Sequence, residues 1–178
     1  MAPAFEVVAR RRLAHGSFVD FEQWEVAAPD GSKILRDVVR HPGAVAMVPL
    51  EGDDIVLIRQ YRAAVDRHML EIPAGKLETG EDRRTTAARE LVEEIGYHPQ
   101  RLTEIASYFA TPGFCDEHLT VYLAEELQPR PAAPHGAEEQ VAEIVAMPLA
   151  EAHAMAMRGE FDDAKTLIGV LLAVRLRT

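Results

Sequence analysis

The chain has 178 residues, of which 48% are hydrophobic and 27% charged, a composition typical of one globular domain or one domain with a small addition. Its formal net charge of −10 argues against non-specific binding to nucleic acid or to an anionic membrane. No apolar run could span a bilayer or form a signal core, and the single cysteine, Cys115, excludes a disulfide within the chain, which favours a cytoplasmic protein.

The start of the chain is predicted to form β-structure. Three short segments have the composition and patterning of strands: 5–10, 17–28 and 33–40. The tripeptide HPG at 41–43 then interrupts the pattern. We therefore place a boundary near His41, with residues 1–40 forming a small antiparallel β unit and residues 41–178 forming the main domain.

The main domain is predicted to mix strands and helices. Apolar segments on either side of EGDD predict a hairpin over 44–62, and 70–78 is predicted to be a short strand that ends in a loop. Asp82 is a suitable N-cap for a helix that runs to about Ile95, where Gly96 can end it. The remaining elements are expected to be strands at 102–109, 118–127 and 141–149, a proline-rich loop at 128–140, and helices at 149–159 and 163–177.

The predicted helix at 82–95 carries an unusual group of acids. Four apolar residues share one face at helical spacing: Ala88, Leu91, Val92 and Ile95. Glu90, Glu93 and Glu94 centre on the opposite side, where like charges destabilise the helix. The group is therefore either a solvated face or a binding site for something positively charged.

The spacing of glycine, glutamate and arginine residues around this helix favours the binding site over the solvated face. Gly75 is followed after five residues by Glu81, and after seven more by the run RELVEEIGY, which begins at Arg89. This resembles the Nudix box, G-x5-E-x7-REUxEExGU, in which U is a bulky apolar residue. Tyr97 is aromatic where an aliphatic residue is usual. The resemblance to the Nudix hydrolase superfamily implies an α/β/α sandwich with a mixed sheet, here preceded by the N-terminal β unit.

The resemblance also implies a metal site. The carboxylates of Glu90, Glu93 and Glu94, with the main-chain carbonyl of Ala74, are expected to bind Mg²⁺, or Mn²⁺ in its place, because hard cations prefer oxygen ligands. In the family the residue matching Arg89 orients the glutamates, and Glu81 is expected to ligate or support. The reaction implied is hydrolysis of a nucleoside diphosphate linked to another group, with Glu93 and Arg89 among the catalytic residues.

Three features resemble the ADP-ribose pyrophosphatase branch: RQYR at 59–62 with LEIPAG before the box, HPGAV at 41–45, and Pro112, sixteen residues beyond Gly96. Pro112 is also explained by a simple turn between two strands. The resemblance implies that Arg62 contacts the substrate, and Arg59 is a further candidate. For Arg62 the alternative is a surface charge at a strand end.

Aromatic residues of the N-terminal unit are candidates for stacking on adenine: Phe18, Phe21 and Trp24. In this branch such contacts come across a dimer, so a homodimer is expected in which residues 1–40 pack against the partner. Core packing within the unit is the alternative for these aromatics.

The general base is expected from the loop HGAEEQVAE, because the branch places a glutamate after its late strands. Glu138 and Glu139 are the candidates, with Glu143 as a third choice; Gln140 stands where a second acid would be expected.

The predicted reaction converts ADP-ribose and water to AMP and ribose 5-phosphate. One alternative keeps the chemistry and changes the substrate to another nucleoside diphosphate sugar, such as GDP-mannose. Another is a Nudix-fold module that binds a nucleotide without cleaving it. Loss of box glutamates would support that module, and here none is missing.

Overall fold

The computed structural model of the chain describes residues 4–134 and 136–177, without the side chains of residues 137 and 138. Contacts divide the chain into two compact units. The first unit comprises the chain up to Gly43 together with Tyr108–His118. The second comprises Ala44–Ser107 and the chain from Leu119 onward.

The first unit contains a three-stranded antiparallel sheet of strands in chain order: β1 (Glu6–His15), β2 (Asp20–Ala27) and β3 (Lys33–Arg40). Strand β1 is longer than its predicted counterpart. The segment from 108 to 118 joins this unit through Val39, whose N–H donates to the carbonyl of Phe114 at 2.7 Å. Arg40 forms an ion pair of 2.8 Å with Asp116 on the same segment. No local sequence pattern indicates this long-range association.

The second unit is built on a seven-stranded mixed sheet. Its strands are β4 (Ala44–Glu51), β5 (Asp54–Arg62), β6 (Arg67–Glu71), β7 (Ala74–Lys76), β8 (Tyr97–Phe109), β9 (His118–Pro129) and β10 (Glu143–Pro148). The order is β10-β5-β4-β9-β8, with β6 paired to β5 and β7 to β4; β4 and β9 run parallel. The helices are α1 (Arg83–Ile95), α2 (Ala137–Gln140), α3 (Leu149–Met157) and α4 (Ala164–Arg177).

Helices cover both faces of strand β4. On one face a buried cluster joins sheet and α1 residues: Val45, Met47, Val56, Ile58, Ala87, Leu91 and Ile95, with Tyr122 and Ala124. On the other face Gly169 of α4 approaches Val48, Ile72 and Val121, where a β-carbon would lie 2.9 Å from a methyl of Val48. Strand β4 is therefore buried from Ala44 to Leu50. The predicted α/β/α sandwich with a mixed sheet is confirmed.

Several local predictions need correction. The single strand predicted over 70–78 is two strands, β6 and β7, because the chain changes partner at Ile72–Pro73 and proline has no N–H for a sheet ladder. Strand β8 begins at Tyr97, directly after α1, and not near 102. The predicted proline-rich loop contains the short helix α2. None of the described helices is long and apolar enough to cross a membrane.

Helix α1 begins and ends where predicted, but the residues that it buries differ in part from those predicted. The Asp82 side chain accepts hydrogen bonds from two backbone N–H groups of the first turn, and Gly96 ends the helix with φ 72°. Ala87 is fully buried, whereas Ala88 and Val92, predicted on the apolar face, are only partly buried. Glu90, predicted on the polar face, is buried with an exposed fraction of 8%. The orientation of α1 therefore brings acidic side chains against strand β7.

Candidate functional site

Strand β7 and helix α1 bring Glu94 to the backbone of Ala74. The Ala74 N–H donates to Glu94 Oε2 at 3.0 Å. The residue retains some exposed surface, but its carboxylate is enclosed. Burial raises the pKa of Glu94 to about 8, and the charge of Glu90 adds to the shift. A carboxylate in this position is costly unless a cation compensates it.

Glu90 lies directly over Gly75, the first residue of the box. A β-carbon at position 75 would fall 1.9 Å from the carboxyl carbon of Glu90, so only glycine permits this approach. Burial also raises the pKa of Glu90, against the opposing charge of Arg89. Strand β7 therefore covers the acidic side of the helix at Glu90, opposite the predicted apolar face, and leaves that side chain buried.

Arg89 contacts three glutamates of the box. Its Nε and Nη2 donate to the two oxygens of Glu81 at 3.1 and 3.0 Å. Its Nη1 lies 2.9 Å from Glu93 and 3.0 Å from Glu90. The hydrogen bonds to Glu81, followed by the charges of Glu90 and Glu93, raise the pKa of Arg89. Arg89 thus remains charged and limits the side-chain freedom of three acids at once.

The donors at this site fit a hard divalent cation. Glu90 and Glu94 are two enclosed carboxylates that raise one another's cost of ionisation, and Arg89 contacts only the first of them. Among the side chains that the structure describes, which do not include that of Glu138, no three His, Cys, Asp or Glu residues are arranged to hold a metal ion. A cation here therefore needs a further oxygen, which the main-chain carbonyl of Ala74 on the same strand can supply.

Arg62 lies at the end of β5 and belongs to a second group of charges. Its Nε and Nη2 each donate to Glu71 at 2.8 Å. Lys165 of α4 also donates to Glu71, and its Nζ lies 2.9 Å from Asp163. The hydrogen bonds to Glu71 raise the pKa of Arg62, and the charge of Glu94 contributes in the same direction. Arg62 is therefore held charged by its pair with Glu71 and by the acids around it.

The three base candidates have different surroundings. Glu139 of α2 lies near enough to the carboxylate site that its charge adds to the raised pKa of both Glu90 and Glu94. Glu143 forms an ion pair of 3.3 Å with Arg59, opposite it in the sheet register. The side chain of Glu138 lies outside the part of the chain that the structure describes.

The remaining predicted substrate contacts belong to the first unit. Phe18 packs edge-on against His41, with ring centroids 5.5 Å apart. The Trp24 ring lies beneath the guanidinium of Arg10, 4.4 Å from its centroid, and its Nε1–H donates to Glu22 at 2.6 Å. Pro112 is exposed in a turn. Nucleobase stacking by these residues stays a prediction, as do the substrate contacts of Arg59 and Arg62.

Sequence reasoning missed Glu71 and Lys165. Glu71 has a side-chain exposed fraction of 1%, and Lys165 one of 14%. The available signal was a charged residue inside the apolar stretch LEIP, which a buried strand tolerates only when the charge is paired. Its partner on α4 is 94 residues away and could not be identified from spacing.

Comparison with known proteins agrees with this geometry. The NUDIX domain family matches residues 40–168. An ADP-ribose pyrophosphatase of Bacillus subtilis is 36% identical over 93% of this chain and 90% of its own length. A methanol dehydrogenase activator of Bacillus methanolicus is 36% identical over 96% of this chain and 94% of its own. The crystal structure of an ADP compounds hydrolase matches the fold with a TM-score of 0.83 at 21% identity, covering 97% of this chain and 93% of that one.

Proposed function

This chain belongs to the NUDIX hydrolase family, and on that premise we propose that it hydrolyses the pyrophosphate bond of ADP-ribose to give AMP and ribose 5-phosphate. The observation that carries the proposal is the pair of enclosed carboxylates, Glu90 and Glu94, held against Ala74 and Gly75. A 36% identical relative with that activity in its name supports the choice of substrate.

Hydrolases of this family generally need divalent metal ions, and we propose Mg²⁺, with Mn²⁺ as a substitute. Glu90, Glu94 and the carbonyl of Ala74 would hold the ion, and Glu93 would become a further ligand by leaving its ion pair with Arg89. When bound there, such an ion would supply neutralisation of the pyrophosphate charge and Lewis-acid polarisation of its oxygens.

The chain's own residues supply the other functions. Arg89 fixes Glu81, Glu90 and Glu93 through its ion pairs, so these carboxylates are oriented before substrate binds. Arg62 presents a guanidinium to the phosphates, which suits forked hydrogen bonding to two oxygens. A glutamate of the segment 138–143 accepts the proton of the attacking water.

Residues 1–40 are proposed to pack against a second copy of the chain and to contact the nucleoside. The support is that all ten residues of β1, at the edge of its sheet, are exposed. A cytoplasmic location is also proposed, because Cys115, the only cysteine, has no disulfide partner within the chain.

A substrate panel tests the reaction. Purified protein with Mg²⁺ is given ADP-ribose, GDP-mannose and other nucleoside diphosphate sugars, and the products are separated by chromatography. ADP-ribose should give the largest kcat/KM, with AMP and ribose 5-phosphate in equal amounts. A larger kcat/KM for GDP-mannose would identify GDP-mannose, and not ADP-ribose, as the preferred substrate. Binding without products would favour a nucleotide-binding module.

Labelled water then locates the attacked phosphorus. In H₂¹⁸O the label should appear in AMP, because the resembled branch is attacked at the adenosyl phosphorus. Label in ribose 5-phosphate would place the attack on the other phosphorus and reverse the substrate in the cleft.

A further inference from the structure

We propose that Glu71 and Lys165 are positioning residues that hold Arg62 in the orientation in which it binds the diphosphate of a nucleotide ligand. This inference rests on the proposed function, because it takes Arg62 as a phosphate contact. Neither Glu71 nor Lys165 belongs to the box, and both lie on elements that the box does not include, β6 and α4.

Glu71 is a buried carboxylate that the fold could not tolerate alone. Burial acts to raise the pKa of Glu71, but the hydrogen bonds from Arg62 and the charge of Lys165 outweigh it, so its pKa lies below the usual range. Glu71 is therefore ionised and forms a bidentate pair with Arg62, with both distances 2.8 Å. A bidentate pair fixes the plane of a guanidinium as well as its position.

This pairing leaves part of Arg62 available. A guanidinium has five N–H donors, and the pair with Glu71 engages one on Nε and one on Nη2. The Arg62 side chain keeps an exposed fraction of 40%, so it is reached from outside the protein even though its partner is buried. Its partner Glu71 lies three residues before Ala74 in the chain, and the charge of Glu94 acts on Arg62 in the direction that keeps it protonated. The remaining donors suit an anionic oxygen next to the bound cation.

Lys165 is the second cation at Glu71, and it donates to Oε2, the oxygen that also accepts from Nη2 of Arg62. It donates to Glu71 and pairs with Asp163, whose carboxylate also accepts from the Thr166 N–H at 2.9 Å in the first turn of α4. The Thr166 hydroxyl accepts from the Ile72 N–H at 2.9 Å. Helix α4 thus binds the Glu71 side chain through Lys165 and the Ile72 backbone N–H through Thr166. Because Glu71 has two cationic partners, Arg62 does not have to neutralise it alone.

The test is a binding experiment that does not need turnover. The α,β-methylene analogues of ADP and GDP, which cannot be split between their phosphorus atoms, are titrated into the full chain with Mg²⁺ by calorimetry. The variants are Glu71→Gln, Lys165→Met, Arg62→Lys and the double variant Arg62→Lys/Glu71→Gln. Asp162→Asn is the matched control, because Asp162 pairs with Arg67 at 3.3 Å on the surface and lies beside Asp163 in the chain.

We expect Glu71→Gln and Arg62→Lys each to raise Kd about tenfold, and Lys165→Met to raise it less. The double variant should bind about as weakly as Arg62→Lys alone, because both changes remove one interaction. In turnover, Glu71→Gln should raise KM more than it lowers kcat. The control Asp162→Asn should bind like the unmodified chain.

The inference is overturned if Glu71→Gln binds the analogues like Asp162→Asn, or if the effects of Glu71→Gln and Arg62→Lys on Kd multiply in the double variant. Failure of the unmodified chain to bind either analogue also overturns it. If Glu71→Gln does not fold, Lys165→Met takes its place in the comparison of single and double variants. The inference is then overturned by the same two results for Lys165→Met. Coupled binding without hydrolysis of ADP-ribose would support the positioning role while refuting the proposed reaction.

Discussion

The backbone of Gly75 and the side chain of Glu90, fifteen positions apart in the chain, lie so close that no β-carbon fits between them. An added Cβ at position 75 would lie 1.9 Å from the carboxyl carbon of Glu90 and 2.4 Å from its Cγ. The glycine at the start of the box is therefore required by the side chain of an acid on the helix, and not by a turn. This contact fixes how closely α1 approaches β7.

Gly75→Ala should damage both stability and activity. Overpacking of this kind costs about 1–3 kcal/mol, which corresponds to a fall in Tm of several degrees for a chain of this size. Turnover should fall by about 10²-fold or more, because Glu90 must leave its position. Thermal melting and steady-state kinetics measure the two effects. Gly113→Ala is the stability control, since a β-carbon there meets nothing within 4 Å.

Glu94→Gln should nearly abolish turnover without unfolding the protein. The amide oxygen can still accept from the Ala74 N–H, but the charge that would bind a cation is lost. In EDTA the variant should melt at the same temperature as the unmodified chain or a few degrees higher, because glutamine avoids the cost of burying a carboxyl group whose pKa burial raises to about 8. Glu78→Gln, an exposed acid of the same box, serves as control. Normal activity in folded Glu94→Gln would refute the metal site.

Removal of divalent cations should stop the reaction. Protein treated with EDTA should lose turnover and regain it on addition of Mg²⁺ or Mn²⁺. The same ions should raise Tm, because a ligand that binds only the folded chain stabilises it. In Glu94→Gln the rise in Tm should be much smaller. Turnover at full rate in EDTA would contradict this prediction.

One glutamate of the segment 138–143 should act as the base. Single changes of Glu138, Glu139 and Glu143 to Gln should give one loss of kcat of about 10²–10⁴-fold, with the Mg²⁺-induced rise in Tm unchanged. We expect the loss in Glu139→Gln, because Glu139 influences both Glu90 and Glu94, whereas Glu143 is paired with Arg59. Near-normal kcat in all three would move the assignment to Glu93 or Glu81.

The chain should sediment as a homodimer at micromolar concentration. Strand β1 exposes Val7, Val8 and Leu13 along a sheet edge, and a second copy would cover such a surface. Leu13→Glu should weaken the dimer, whereas Leu176→Glu, another exposed apolar position, should leave it intact. A fully active monomer in analytical ultracentrifugation would exclude the dimer.

The sequence was most informative where structure is local. Asp82 and Gly96 bound α1 as predicted, because a cap and a C′ glycine act within a few residues of themselves. The spacing of the box placed Glu90 and Glu94 one turn apart for the same reason. Periodicity placed Glu90 opposite the apolar face, but it gives angles only and does not reveal that β7 covers this acidic side of the helix.

The long-range parts of the site could not be predicted from one sequence. Glu71 and Lys165 are 94 residues apart, and their contact depends on how α4 packs against the sheet. The approach of Glu139 to the box depends on the short helix α2 within a segment whose composition indicates only a loop. In both cases the information lies in tertiary packing, which local propensity does not contain.

The contacts of α4 have a consequence for the order in which this chain acquires its structure. The box itself, from Gly75 to Tyr97, and the strands before it all precede α4 in the chain. The partners of Glu71 and Ile72 on Lys165 and Thr166 appear 94 residues later. Closing so long a loop is slow compared with forming local structure. During synthesis, the segment leading to Ala74 and Gly75 therefore emerges from the ribosome well before the helix that anchors it, and the nascent chain carries an unfinished site until its last helix docks.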